Sequence, residues 1–426
     1  LFQQMERECM TPSTFTFVTV LKACAKLGLL QEGKRIHTQI LQKGCESDIF
    51  VSTSLVGMYT KCGSLEDACK VFDRMSSHDV VSWTAMISGH VKHGQAQKAL
   101  ELYHQMEEEE AQMERECMTP STFTFVTVLK ACAKLGLLQE GKRIHTQILQ
   151  KGCESDIFVS TSLVGMYTKC GSLEDARKVF DRMSSHDVVS WTAMISGHVK
   201  HGSLEEAQRV FNRMPRHNVV SWNAMILGHV KSQQAQQALE LYKRMQSEGV
   251  QPDSVTFVGV LNACASVMGL EEGRLAHKQI IQSNCESNVF VVSSLVDMYA
   301  KCGSLEDAQK VFNRMPRHNV GSWNAMILGH VKCGQGQEAL ELYQKMQGEE
   351  GVQPDPVTFV GVLNASCSHG GLVCEGLLYF ESMGSVYGIS ATVEHCACMV
   401  DLLGRAGHLQ EAEDFINTMS CEPNGS

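Results

Sequence analysis

The eight residues Lys61-Cys62-Gly63-Ser64-Leu65-Glu66-Asp67-Ala68 recur as Lys169–Ala176 and again as Lys301–Ala308. They read as a helix stop followed by a helix start. Gly63 supplies the left-handed residue that ends one helix without a Cβ clash. Ser64 is expected to cap the next helix, with Asp67 as the return arm of a capping box and Glu66 on the positive end of the helix dipole. Leu65, Ala68, Val71, Phe72 and Met75 then follow at helical spacing. The stretch is the elbow of a helix–turn–helix unit.

Overlaying the chain on itself extends this elbow to the whole sequence. Residues 4–94 and 112–202 match at every position but one, Cys69 against Arg177. The acidic run Glu107–Glu110 lies at the seam of this duplication and reads as a solvated loop. A finer period lies beneath. Trp83, Trp191, Trp222 and Trp323 each sit in V-x-S-W-[TN]-A-M-I, at separations of 108, 31 and 101 residues. Cut at that phase, the chain gives twelve units: 14–48, 49–79, 80–121, 122–156, 157–187, 188–218, 219–253, 254–288, 289–319, 320–355, 356–392 and 393–424. Residues 1–13 are the tail of a preceding unit, and 425–426 are a remnant. Each unit holds two short antiparallel helices and cannot bury both faces alone. Stacked units share a continuous core. The predicted fold is all-α, an α-solenoid.

Composition sets limits on function. No apolar run approaches the roughly 18 residues of a membrane span. Residue 1 is Leu, so any targeting peptide would lie upstream. None of the 18 cysteines forms a C-x-x-C pair, and most recur once per unit. They read as small half-buried thiols of a reducing compartment, not as disulfides or zinc ligands. Formal charge is −10, which argues against a nucleic-acid partner if it is evenly spread.

It is not evenly spread. Position 13 of a unit, the end of its first helix, is Lys26, Lys61, Lys92, Lys134, Lys169, Lys200, Lys231, Lys301, Lys332 or Arg405 in ten of the twelve units. Positions 1–13 add Lys22 and Lys130 and hold only three acids, Asp297, Glu394 and Asp401. The first helices therefore sum to +9. A Lys at a helix C-terminus also complements the dipole, by roughly 0.3–1 kcal/mol. That does not explain why the acids keep to the other helix. A ladder of phosphate-binding cations does.

These lengths and phrases resemble the pentatricopeptide-repeat proteins, in particular the plant subclass with alternating P, L and S repeats. The resemblance rests on G-S-L-E-D-A-x-K-V-F-[DN]-R-M at Gly63–Met75, V-V-S-W-N-A-M-I at Val219–Ile226, V-T-F-V-G-V-L-N-A at Val255–Ala263 and V-E-H-C-A-C-M-V-D-L-L-G-R-A-G at Val393–Gly407. It implies a right-handed solenoid, monomeric and without cofactor, that binds single-stranded organellar RNA at one base per repeat. It also implies a mitochondrial or chloroplast location and a role in RNA processing, as the targeting half of a C-to-U editing factor that works with editing cofactor proteins. A helical-repeat scaffold for protein partners is the alternative.

In that family, position 5 and the last residue of a repeat together read one base. The pairs here are Thr53/Asp79, Thr84/Ser121, Thr161/Asp187, Thr192/Asn218, Asn223/Asp253, Ser293/Asn319 and Asn324/Asp355. By resemblance, Thr with Asp favours G, Thr or Ser with Asn favours A, and Asn with Asp favours U. The footprint is x-G-R-x-G-A-U-x-A-U-x-x. The same residue types also suit helix starts and turns. Position 2 wedges the base in the family, and Phe15, Phe50, Phe123, Phe158 and Phe290 fit that role, as do Val81, Val189, Val220, Val255 and Val357; packing between repeats is the plainer reading. Some members end in a zinc-dependent deaminase, which needs H-x-E and C-x-x-C. Neither occurs here, so no catalytic residue or metal ligand is assigned, although such a domain could lie downstream.

Overall fold

The structure, a computed structural model, describes residues 2–7, 10–113, 120–368 and 373–418. It divides into two compact units, Leu1–Met214 and Pro215–Ser426. The first holds α1 (Phe2–Arg7), α2 (Thr14–Leu27), α3 (Leu30–Gln42), α4 (Ile49–Lys61), α5 (Leu65–Phe72), α6 (Val80–Lys92), α7 (Ala96–Met113), α8 (Thr122–Leu135), α9 (Leu138–Gln150), α10 (Ile157–Lys169), α11 (Leu173–Arg182), α12 (Val188–Lys200) and α13 (Leu204–Arg213). The second holds α14 (Val219–Lys231), α15 (Ala235–Ser247), α16 (Ser254–Ser266), α17 (Leu270–Gln282), α18 (Val289–Lys301), α19 (Leu305–Asn313), α20 (Val320–Lys332), α21 (Gly336–Gln347), α22 (Pro356–Ser368), α23 (Val373–Ser385), α24 (Val393–Arg405) and α25 (Leu409–Thr418). From α2 onward, even numbers are the first helices of the repeats and odd numbers the second. Among the described residues, the regular structure is helical throughout.

Within each unit, every first helix packs on its own second helix and on the next first helix. Sequence explains the asymmetry. First helices are apolar nearly all round, as in α4, where Val51, Leu55, Val56, Met58 and Tyr59 are all buried. Second helices bury one stripe, as in α5 with Ala68, Val71 and Phe72. Close approach needs small residues at the crossings: a Cβ on Gly33 would collide with the Met58 thioether, and Gly141 and Gly273 stand in the same relation to Met166 and Met298.

The recurrent elbow forms with one difference from expectation. Gly63, Gly171 and Gly303 have φ of +85°, +83° and +79°. However, Ser64 makes no side-chain cap to the backbone; its hydroxyl donates to Asp67 Oδ2 at 2.7 Å instead. Its ψ of 74° departs from the extended backbone usual at an N-cap, and the carboxylate offers the hydroxyl a stronger acceptor. Ser172 and Ser304 repeat this contact.

The acidic seam is a second correction. Glu107–Glu110 lies inside α7 and is helical, not a loop. Glutamate is a good helix former. Moreover, Glu107 pairs with Arg143 of α9 at 2.9 Å, and Glu110 with Lys151, the residue that follows α9, at 2.8 Å.

The cysteines described are free thiols. Burial, with Glu140 or Glu272 nearby, pushes Cys132 and Cys264 up to about 12, so both stay protonated packing groups. No helix among the described residues is long and apolar enough to cross a membrane.

Candidate functional site

The last residue of one repeat begins the first helix of the next. Asp79, Asn218, Asp253 and Asn319 are N-caps with complete capping boxes, closed by the third residue of the new helix: Ser82, Ser221, Thr256 and Ser322. The helix-start role of these residues is therefore real. It also fixes where the capping oxygen, Oδ1, sits.

That atom meets position 5 of the preceding helix. Thr53 Oγ1 donates to Asp79 Oδ1 at 3.4 Å, and Thr161 Oγ1 to Asp187 Oδ1 at 3.1 Å. Asn223 Nδ2 donates to Asp253 Oδ1, and Asn324 Nδ2 to Asp355 Oδ1, both at 2.9 Å. Ser293 Oγ donates to Asn319 Oδ1 at 3.1 Å. Five of the seven sequence-derived pairs are thus in hydrogen-bond contact, although their members are 26–31 residues apart in sequence. Thr84 and Ser121 are joined through Thr124 instead, whose Oγ1 lies 2.8 Å from Thr84 Oγ1 and 2.9 Å from Ser121 Oγ. Thr192 and Asn218 belong to different compact units; within its own unit, Thr192 Oγ1 donates to Val188 O at 2.9 Å.

Burial would raise the Asp253 carboxyl. The Thr256 N–H, the Asn223 amide and the Thr256 hydroxyl outweigh burial and hold it below the usual carboxylate range. It is an anion, able only to accept.

Position 2 separates two readings of its side chains. Phe15, Phe50, Phe123, Phe158 and Phe290 are 57–79% exposed. Val81, Val189, Val220, Val255 and Val357 are exposed as well. Side chains packed between repeats would be buried. These stand on the open face of the first helices.

The ten position-13 cations are all exposed. Lys301 pairs with Asp297 and Arg405 with Asp401, each at 2.8 Å. Lys26, Lys61, Lys92, Lys134, Lys169, Lys200, Lys231 and Lys332 have no ion pair among the described residues. In the first unit the three kinds of residue converge on a cavity of about 490 Å³. Thr53, Thr84 and Ser121 line it beside Val81 and Phe123, with Lys22, Lys61 and Lys92 at its walls.

Three of the four histidines that recur at position 11 are bonded within their repeats, whereas the fourth, His198, has a buried Nδ1 with no hydrogen-bond partner among the described residues. His90, His229 and His330 bond Gln95, Gln234 and Gln335 through Nδ1. Among the described residues, no group of three or more His, Cys, Asp or Glu could hold a metal ion. Sequence reasoning passed over Thr124, Thr256 and Thr358, buried residues that touch the position-5 side chains.

Known proteins share the repeats and the fold. Models of the PPR repeat family match residues 78–134, 217–266 and 318–368, and PPR repeat models match 15–45, 50–80, 123–153, 158–188, 189–219, 283–316 and 395–422. The Arabidopsis thaliana pentatricopeptide repeat-containing protein At2g13600 is 43% identical over 99% of the chain and 60% of its own length. Its counterpart At2g33680 is 39% identical over 98% of the chain and 52% of its own length. The chain thus spans about half to three-fifths of these relatives. Among solved structures, pentatricopeptide repeat protein PPR10 in complex with an 18-nt psaJ RNA element has a TM-score of 0.74 at 18% identity, covering 98% of this chain and 65% of that one.

Proposed function

The chain belongs to the pentatricopeptide-repeat family, and on that premise we propose that it binds single-stranded RNA sequence-specifically through the face of its first helices. The observation that carries this reading is the conjunction on the first-helix face of each compact unit. Position-5 and last-residue side chains meet in pairs, exposed aromatic or branched side chains flank them, and cations, eight of ten without an ion pair among the described residues, end the first helices. Solvent-exposed phenylalanines stack on bases, and lysines neutralise phosphates.

The pair chemistry agrees with the bases assigned. An Asp at the end of a unit only accepts, so it selects a base with an imino N–H, G or U, over A or C. An Asn there can donate to the unprotonated ring nitrogen of A. The short Thr or Ser at position 5 leaves room for a purine, and the longer Asn suits a pyrimidine. In the twelve-unit register of 14–424, the footprint is x-G-R-x-G-A-U-x-A-U-x-x. Each well-formed pair contributes roughly 1–3 kcal/mol of discrimination.

The protein would act as a monomer on organellar transcripts, as the targeting part of a C-to-U editing factor working with editing cofactor proteins. Relatives named as chloroplastic, 36% and 37% identical to the chain, support the organellar setting.

The test is a mobility-shift titration with a 12-mer RNA of this sequence, across a salt series. The control RNA exchanges each assigned G with U. Preference for the matched RNA, weakening steeply with salt, is expected. Equal binding of the two, or none, would refute the reading and leave a scaffold for proteins as the alternative.

A further inference from the structure

We propose that the third residue of the following repeat, Thr256 or Thr358, is a positioning residue that sets which atoms of Asn223 or Asn324 face the RNA base. This rests on the RNA-reading function above and deepens it, from a pair of residues to a triplet.

Thr256 is fully buried, yet its hydroxyl lies against both reading residues of the unit before it. It donates to Asn223 Oδ1 at 2.6 Å and sits 3.0 Å from Asp253 Oδ1. Asn223 Nδ2 donates to that same carboxylate oxygen at 2.9 Å, and so does the Thr256 backbone N–H. The pattern repeats around Thr358, with Asn324 Oδ1 at 2.7 Å, Asp355 Oδ1 at 3.0 Å and the Asn324–Asp355 bond at 2.9 Å.

Two consequences follow. The amide of Asn223 is held in one orientation, because a flip would set its oxygen against a carboxylate oxygen and leave the Thr256 hydroxyl without its acceptor. The inner carboxylate oxygen of Asp253 is also saturated by these donors. What remains for a base is the second Nδ2 hydrogen, a donor, and Asp253 Oδ2, an acceptor. Together they match the carbonyl and imino N–H edge of uracil, and they oppose cytosine, whose ring nitrogen has no proton.

Serine at this place behaves differently. Ser82, Ser190 and Ser322 donate to the main-chain carbonyls of Asp79, Asp187 and Asn319 at 2.9, 2.8 and 2.9 Å. There the position-5 hydroxyl meets the last residue without an intermediary. The sequence places Thr after both Asn units. Thr follows Thr84, Asn223 and Asn324; Ser follows Thr53, Thr161, Thr192 and Ser293; Val51, Val159 and Val291 follow Val18, Val126 and Val258.

The experiment uses the full chain with Thr256→Val, which keeps the shape and removes the hydroxyl, and with Thr256→Ser. Affinities are measured for four RNA 12-mers that differ only at the base facing unit 219–253. A second set differs only at the base facing unit 157–187. For Thr256→Val, the U-over-C ratio at the first base should fall about tenfold. The G preference at the second should not move, and Thr256→Ser should stay within about twofold of wild type. Thr256→Val with its U preference intact would overturn the proposal. A uniform loss at both bases, with a lowered melting temperature, would also overturn it by reducing Thr256 to a packing role. A wild-type protein with no preference at the first base would instead refute the RNA-reading function itself.

Discussion

Within each compact unit, the row of first helices and the row of second helices treat their charges in opposite ways. In the second row, Lys34–Asp67, Lys142–Asp175 and Arg274–Asp307 bridge successive second helices at 2.8, 2.8 and 3.1 Å. Lys70–Glu66, Lys178–Glu174 and Lys310–Glu306 close further pairs along the same helices. In the first row, eight of the ten helix-ending cations have no ion pair among the described residues. Exposed pairs contribute only about 0–1 kcal/mol each, so the contrast is not mainly one of stability. It concerns what each surface leaves for a ligand. The second row pairs many of its cations with its own carboxylates, whereas the first row keeps cations beside exposed phenylalanines and hydrogen-bonding pairs.

The largest expected effect breaks the first row. Replacing Lys61, Lys92 and Lys169 together by Ala should lower RNA affinity on the order of a hundredfold and flatten the slope of log affinity against log salt by about 2, read by a salt titration. An unchanged slope would place the RNA elsewhere. Next, Phe50→Ala and Phe158→Ala should each weaken binding about tenfold while leaving base preference in place, as loss of one stacking face requires. Unaltered affinity would return position 2 to a spectator.

The second row should respond only in stability. Lys34→Ala or Lys142→Ala should cost no more than about 1 kcal/mol in a urea titration and leave RNA binding alone. The smallest effect sharpens that contrast through pH. Lys34 and Ser64 hold the Asp67 carboxyl below its ordinary 3.8, and Lys142 and Ser172 do the same for Asp175. A depressed folded-state value stabilises the fold at pH above 3.8, and the contribution is lost as pH falls through the folded-state values. The urea midpoint should therefore drop below about pH 4, and less steeply in Lys34→Ala with Lys142→Ala. Equal slopes would mean that these pairs do not carry the titration.

Most of this architecture was legible because one local signal recurs. Gly63 and its two counterparts mark turns by a steric rule, and Trp83, Trp191, Trp222 and Trp323 set the phase. What sequence missed lay across repeats. Glu107–Glu110 read as a loop because four like charges have no partner nearby in sequence; two partners, Arg143 and Lys151, lie 36–41 residues further on. Ser64 read as a cap because its spacing to Asp67 fits one, but the carboxylate draws the hydroxyl away from the backbone. The exposure of Phe50 could not be told from a core phenylalanine by type alone. Thr256 passed as an ordinary first-turn threonine, although a Thr stands at this place after both Asn units, and that was visible in the chain itself.

The most direct measurement of the central claim is a compensatory exchange. Asn223→Thr with Asn324→Thr converts both U-reading pairs to Thr with Asp. Wild type and variant would be titrated with the 12-mer carrying U, and then with the 12-mer carrying G, at those two bases. The account predicts a crossover: wild type binds the U RNA more tightly, the variant binds the G RNA more tightly, and the reversal is tenfold or more by the roughly 1–3 kcal/mol per pair. Parallel titrations, with both proteins ranking the two RNAs alike, would contradict it.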